Sequence, residues 1–175
     1  VVADAGSDVI IAAEIHTDGK LTKQFEIPDA KLWSVNTPNL YRLRVTFAAE
    51  QENGQNKYME TDQEEVIFGI RTLKWDKETG ITINGERVIL RGACIHHDNG
   101  VIGAETFPEA EWYRCKRLKE AGFNAIRSSH HPMSRAMLDA CDHLGMLVMD
   151  ELTDMWNRGK NTYDFSDIFK EEAPK

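Results

Sequence analysis

Histidine pairs, an arginine and two adjacent carboxylates stand at the ends of three apolar runs in the second half of this chain. Val88-Ile89-Leu90 leads to His96-His97-Asp98, Phe123-Asn124-Ala125-Ile126 to Arg127-Ser128-Ser129-His130-His131, and Met146-Leu147-Val148-Met149 to Asp150-Glu151. Imidazole, guanidinium and carboxylate together supply hydrogen-bond donors, acceptors and charge, which suits the grip on a polar ligand. Asp150-Glu151 could be taken for a catalytic acid and its partner. Neighbouring residues in a strand point to opposite faces, however, so the two cannot flank one reacting bond. Cys94, His96, His97 and Asp98 also invite a zinc reading. Strand alternation would divide them between faces and no second cluster has ligand spacing, so no metal site is predicted.

The elements that must position these residues read as a strand-helix alternation. Thr106-Phe107-Pro108-Glu109 has the form of a capping box with proline in the first turn. Trp112, Cys115 and Leu118 follow at helical spacing, and Gly122 ends that helix. Ser134 can cap a second helix, whose Met137, Ala140, Cys141 and Leu144 form one apolar stripe before Gly145. From Arg87 the order is therefore β-α-β-α-β, which favours a parallel sheet with its ligands beyond the carboxyl ends of the strands. His96, His130 and Asp150-Glu151 would converge on one rim. Thr153 to Lys175 reads as polar and irregular. Three parallel strands leave unpaired edges, so self-association through the sheet edges, swapping or tail disorder is predicted.

The first half has a different period. Tyr41-Arg42-Leu43-Arg44-Val45-Thr46-Phe47 alternates, with Tyr, Leu, Val and Phe on one face of a half-buried strand. Val9 to Ile15 and Leu21 to Ile27 read as strands joined by a turn at Thr17-Asp18-Gly19-Lys20, and Glu52-Asn53-Gly54-Gln55 marks a turn before a strand over Glu65 to Thr72. Short antiparallel strands at this spacing suggest a small, partial β-sandwich over residues 1–71. Asn84-Gly85 joins Gly80–Ile83 to Glu86–Leu90 as a further hairpin, so residues 72–175 form a second domain.

Composition narrows the partners. The 175 residues carry a formal charge of −8, from 21 basic and 29 acidic side chains, which argues against a nucleic-acid or anionic-membrane surface. No apolar stretch is long enough to span a bilayer. The chain begins Val1-Val2-Ala3-Asp4, without an initiator Met or a signal-peptide pattern. An excised segment of a longer protein is expected on that ground, and its compartment is left open. Cys94, Cys115 and Cys141 are odd in number and widely spaced, which predicts reduced thiols.

Four segments resemble glycoside hydrolase family 2, which includes β-galactosidases, β-glucuronidases and β-mannosidases. They are Phe68-Gly69-Ile70-Arg71, Leu90-Arg91-Gly92-Ala93-Cys94-Ile95-His96-His97-Asp98, Gly122-Phe123-Asn124-Ala125-Ile126-Arg127-Ser128-Ser129-His130-His131-Pro132, and Cys141-Asp142-His143-Leu144-Gly145-Met146-Leu147-Val148-Met149-Asp150-Glu151. They are collinear over roughly half the chain. Leu32-Trp33 and Thr37-Pro38-Asn39-Leu40-Tyr41 also look like the immunoglobulin-like domain that precedes the barrel in that family.

The resemblance implies a partial immunoglobulin-like β-sandwich followed by the first three β/α units of a TIM (β/α)8 barrel. The activity it implies is that of a retaining exo-β-glycosidase, whose acid/base and nucleophile stand about 5 to 5.5 Å apart. The family places its acid/base in an Asn-Glu pair after the fourth strand and its nucleophile later. This chain has no Asn-Glu dipeptide, so no catalytic residue is assigned to it and it is expected to be silent alone.

By the same resemblance His96 and His130 contact the sugar, and Arg127 lies beside the nucleophile or in a salt bridge inside the barrel. Asp98 borders the pocket, fixes His96 or is an ordinary loop aspartate, Asp150 and Glu151 shape the pocket floor, and His131 is structural or peripheral. Some members hold a metal soon after this dipeptide. Leu152-Thr153-Asp154-Met155-Trp156-Asn157 does not match those ligands, so no cofactor is expected. Trp33 and Trp156 could stack on sugar rings or belong to a core. The implied partner is a β-glycoside. The alternative is a non-catalytic carbohydrate-binding or interaction module with the β-sandwich as its working part.

Overall fold

A computed structural model describes residues 2–3, 7–8, 22, 24–50 and 58–173. Contacts divide the chain into two units, residues 1–33 with 39–71, and residues 34–38 with 72–175. The expected strand at Val9–Ile15, the turn at Thr17–Lys20 and the turn at Glu52–Gln55 lie outside the described residues.

In the first unit, β1 (Val2–Ala3), β2 (Ser7–Asp8), β3 (Tyr41–Glu50) and β4 (Tyr58–Phe68) form one antiparallel sheet in the order β2-β1-β3-β4. A second, facing sheet is not among the described residues, and residues 24–27 are not strand. The long ribbon pairs Tyr41 with Phe68 at one end and Glu50 with Tyr58 at the other, with a register shift between Phe47 and Ala48. Its burial is confined to the Tyr41 end. There the Tyr41 ring stacks on Phe68 at 5.8 Å and its hydroxyl accepts from the Lys31 amide at 2.7 Å. Trp33 is buried beside it, its amide donating to the Ile70 carbonyl. A Cβ at Gly69 would meet Trp33 at 3.0 Å, which accounts for the glycine, and the Arg71 guanidinium lies 4.7 Å over the same indole. Farther along, Val45 and Phe47 are exposed, so the half-buried face expected from the alternation stops after Leu43. Nothing described covers that face.

The second unit opens with a meander, β5 (Leu73–Asp76), β6 (Gly80–Ile83) and β7 (Glu86–Arg87). Asn84 and Gly85 both take positive φ, +54° and +85°, as a two-residue hairpin of this hand requires. The strand after this turn is only two residues long. Val88 to Leu90 is not strand, and β8 begins at Gly92. The partner strand β6 begins at Gly80, so the ladder runs out here, and Asn124 takes up the backbone groups beyond it. Its side chain donates to the Ile89 carbonyl at 2.9 Å and accepts from the Arg91 amide at 2.7 Å, occupying backbone groups a ladder would have used.

β8 (Gly92–Ile95), α1 (Pro108–Glu120), β9 (Ala125–Ser128), α2 (Arg135–Leu144) and β10 (Leu147–Met149) follow in turn. The strands form a parallel sheet in the order β10-β9-β8, each pairing carried through β9. Ile126 of β9 packs with Cys115, Met133, Met137, Ala140, Cys141 and Met146, a core that seals the sheet against both helices. α2 matches its sequence pattern. Ser134 Oγ accepts from the Met137 amide at 3.2 Å, Met137, Ala140 and Cys141 are buried, and Gly145 closes the helix at φ +72°.

α1 departs from its pattern in two ways. The capping position is Phe107, not Thr106, and no side chain caps it, because Pro108 takes the first helical position. Its buried face holds Glu111 and Cys115, while Trp112 is 41% exposed against the His143 ring. Cys115 and Leu118 face the core as the spacing expects, and Glu111 takes the place expected of Trp112. The tail also differs from the expected irregular chain: a 3-10 turn at Phe165–Asp167 precedes α3 (Phe169–Glu172).

Candidate functional site

Parallel pairing sets Cys94, Arg127 and Met149 side by side, so the segments leaving all three strands emerge at one end of the sheet. Arg127 ties them together. Its Nε donates to Glu151 Oε1 in a short contact, Nη1 reaches Cys94 Sγ at 3.6 Å, and Nη2 lies 3.3 Å from His130 Nδ1. Glu151 Oε2 is 2.9 Å from the same His130 nitrogen. A carboxylate can only accept, so this bond places the proton on Nδ1 and leaves Nε2 as the ring nitrogen for a ligand; Arg127 Nη2, itself a donor, then lies beside Nδ1 without bonding to it. The His96 ring stands edge-on to His130 at 6.2 Å. The salt bridge expected as one of two roles for Arg127 is thus present, with Glu151 as its partner.

Charge in this cluster is fixed. The His130 bond first, and then Arg127, hold the Glu151 carboxyl below the ordinary carboxylate range, while Glu151 raises the Arg127 guanidinium in turn. A general acid needs its pKa raised, so Glu151 is placed here as a permanent anion that orients its neighbours. Asp150 turns elsewhere. Its Oδ1 accepts from the Met133 amide at 2.8 Å and holds the loop into α2. The two carboxylates therefore do different work from opposite sides of the chain.

Of the six residues singled out as ligand contacts, the structure brings Arg127, His130 and Glu151 together with His96 beside them. It does not bring in Asp98 or Asp150. Asp98 is exposed, and its Oδ1 accepts from the Gly100 amide at 3.4 Å. No bond to His96 is formed. His97 Nε2 instead accepts from the Ser134 amide at 3.0 Å and its ring lies 4.4 Å from His131. Burial, with His131 adding to it, lowers the His97 pKa, which suits an acceptor that stays neutral.

Other contributors carried little signal in the sequence. Glu111 is fully buried in α1. Asn99 donates to it at 2.8 Å, and Arg114 Nη1 approaches both of its oxygens at 3.2 and 3.3 Å. Arg114 Nη2 then donates to the His96 carbonyl at 2.8 Å. A carboxylate on α1 therefore holds the backbone that carries His96. The one sign of it was an acidic residue four positions before Cys115 on the helix.

Trp156 joins Arg127, His130, Glu151 and Asp154 around a cavity of about 350 Å³. A larger apolar cavity of about 640 Å³ shares His130 and Asp154 with it. Trp156 is 59% exposed, whereas Trp33 belongs to a core, so of the two tryptophans only the former faces the cluster's cavity. Asp154 is the one ionisable group among residues 152–157, and it is bound by Lys160 Nζ at 2.8 Å.

Comparison with known proteins follows the same division. The model for glycosyl hydrolases family 2 matches residues 2–71, and that for the family's TIM barrel domain matches residues 76–164. The β-galactosidase BoGH2A of Bacteroides ovatus is 36% identical over 169 residues, 97% of this chain and 18% of its own length. A putative β-glucuronidase of Formosa agariphila is 38% identical over 81% of this chain and 14% of its length. Among solved structures, a family 2 member from Bacteroides cellulosilyticus aligns at 44% identity with a TM-score of 0.68, over 81% of this chain and 17% of that one. A β-glycosidase from Bacteroides vulgatus aligns at 34% identity with a TM-score of 0.71, over 83% of this chain and 18% of that one. The chain thus spans less than a fifth of the length of these relatives. It belongs to glycosyl hydrolases family 2, with an immunoglobulin-like domain leading into the start of a TIM barrel domain.

Proposed function

We propose that residues 72–175 form the sugar-holding wall of a retaining exo-β-glycosidase, with residues 1–71 as its immunoglobulin-like neighbour. His130 Nε2 and the His96 ring would take sugar hydroxyls, and Arg127 and Glu151 would fix the imidazole and set the charge of the wall. Asp98 and Asp150 act one step back, by shaping the loops after β8 and β9. The catalytic acid and nucleophile belong to sequence beyond these residues. The chain alone then binds β-glycosides weakly and does not hydrolyse them. The observation that carries this reading is the Arg127–Glu151–His130 cluster at the common end of a parallel sheet. The galactosidase and glucuronidase names of the relatives support the β-glycoside class.

The test is a titration of the 175-residue chain with methyl β-D-galactopyranoside and methyl β-D-glucuronide, alongside an assay on aryl β-glycosides. Saturable binding lost in His130→Ala, with no turnover, is the expected result. Enzyme-like hydrolysis by the chain would refute the assigned silence. Binding indifferent to His130 would refute the site and favour a carbohydrate-binding β-sandwich.

A further inference from the structure

We propose that His97 is a positioning residue for His130, a neutral imidazole that clamps the loop between β9 and α2 and releases it on gaining a proton. Its effect on binding rests on the glycoside reading above, whereas the clamp itself does not. Residues 129–134 carry His130 from the end of β9 to the start of α2, outside any strand or helix. Single bonds therefore hold them. At one end the Ser129 amide donates to the Ile95 carbonyl at 3.0 Å, and Ser128 Oγ donates to the His131 carbonyl. At the other end two consecutive amides reach side chains from different strand ends. Met133 N donates to Asp150 Oδ1 at 2.8 Å, and Ser134 N to His97 Nε2 at 3.0 Å. His97 thus ties the segment leaving β8 to the loop that carries His130. Pro132 fixes one torsion between Ser134 and His130, so freedom gained at the Ser134 amide is passed along the loop. What it would disturb is the bond from His130 Nδ1 to Glu151 Oε2, 2.9 Å long.

Among the acceptors in this set, imidazole is the one that is lost by taking up a proton near neutrality. Accepting at Nε2 puts the ring's single proton on Nδ1. A second proton would set an Nε2–H against the Ser134 N–H, and a donor–donor contact would replace the bond. The surroundings oppose that proton. His97 is half-buried, and the His131 ring from the loop after β9 lies 4.4 Å away. Glu111 and Arg114 of α1 act on it with opposite signs, and His96 and Asp98 adjoin it in the chain. Burial first, and then His131, hold the His97 pKa below the ordinary 6.5, against the pull of Glu111. With its folded value lowered, the clamp is fully present above pH 6.5 and is lost as pH falls through the lower value.

Two signals are followed on the 175-residue chain, the His130 imidazole nitrogen resonances in NMR and the affinity for methyl β-D-galactopyranoside and methyl β-D-glucuronide. His97→Leu keeps bulk and removes the acceptor. It should shift the His130 Nδ1 resonance and weaken glycoside binding about 3- to 10-fold at pH 7. His97→Gln offers Oε1 to the same amide and does not titrate. It should restore both signals, and between pH 7.5 and 5 its His130 resonances and its affinity should change less than those of wild type. Unmoved His130 resonances in a folded His97→Leu chain would overturn the clamp. So would His97→Gln behaving like His97→Leu, because packing and not the acceptor would then be at work. An equal response to pH in wild type and His97→Gln would overturn the release on protonation, and that comparison decides alone where His97→Leu does not fold. His130 resonances that respond as stated in a chain that binds neither glycoside would sink the functional reading and leave the clamp standing.

Discussion

The β3–β4 ribbon and the β8–β9–β10 sheet are both rich in apolar residues, yet they use them differently. In the ribbon, Val45, Phe47, Val66 and Ile67 remain 41 to 47% exposed. In the parallel sheet, Ala125 and Ile126 are nearly sealed because two crossover helices lie on the strands they connect. The difference teaches that connection, more than composition, decides where burial occurs. A hairpin places nothing over its own face. A crossover brings its own cover, and the same crossover forces the strands to run one way, which is what gathers Arg127, His130 and Glu151.

Removing a buried side chain should separate the two regions most strongly. Met137→Ala should cost about 2–5 kcal/mol in urea unfolding, while Val45→Ala in the ribbon should stay within about 0.5 kcal/mol. Equal costs would break the comparison. Next comes Glu111→Gln, which leaves Arg114 without its anion. A loss of about 1.5–3 kcal/mol is expected, together with a shifted His96 amide resonance in NMR. An unshifted His96 would detach α1 from the site.

Helix caps give a finer contrast inside the parallel region. Ser134→Ala should cost about 1 kcal/mol by thermal unfolding, and Thr106→Ala almost nothing, since only the former caps a helix. The smallest effect has a definite pH sign. Glu151 has its folded pKa lowered, so its contribution is present above the ordinary value of 4.5 and is lost as pH falls through the lower folded value. Wild type should exceed Glu151→Gln in urea midpoint at pH 6, and the gap should close on acidification. A gap that widens below pH 4 would contradict the cluster.

Much of this arrangement was legible in the residues, and the exceptions have physical causes. α2 followed from Ser134, its apolar stripe and Gly145, because local signals and tertiary burial agree there. α1 was placed with Cys115 and Leu118 inward, but Trp112 lies outside, since Glu111 is buried by bonds from Asn99 and Arg114 that no periodicity announces. Val88 to Leu90 looked like strand, but its partner β6 begins at Gly80 and the distant Asn124 side chain takes up backbone groups there. At the site, strand-end position put His96, Arg127, His130 and the Asp150-Glu151 pair on one rim, and Asp150 turns away from it. That position did not reveal which carboxylate faces the others, because the alternation that separates Asp150 from Glu151 does not say which one turns inward.

The most direct test of the account is an amide chemical-shift map of the 175-residue chain titrated with methyl β-D-galactopyranoside and methyl β-D-glucuronide. The account predicts perturbations grouped at residues 94–98, 127–131 and 150–156, with the β3–β4 ribbon silent. Shifts confined to the ribbon, or saturation with those three segments unmoved, would contradict it.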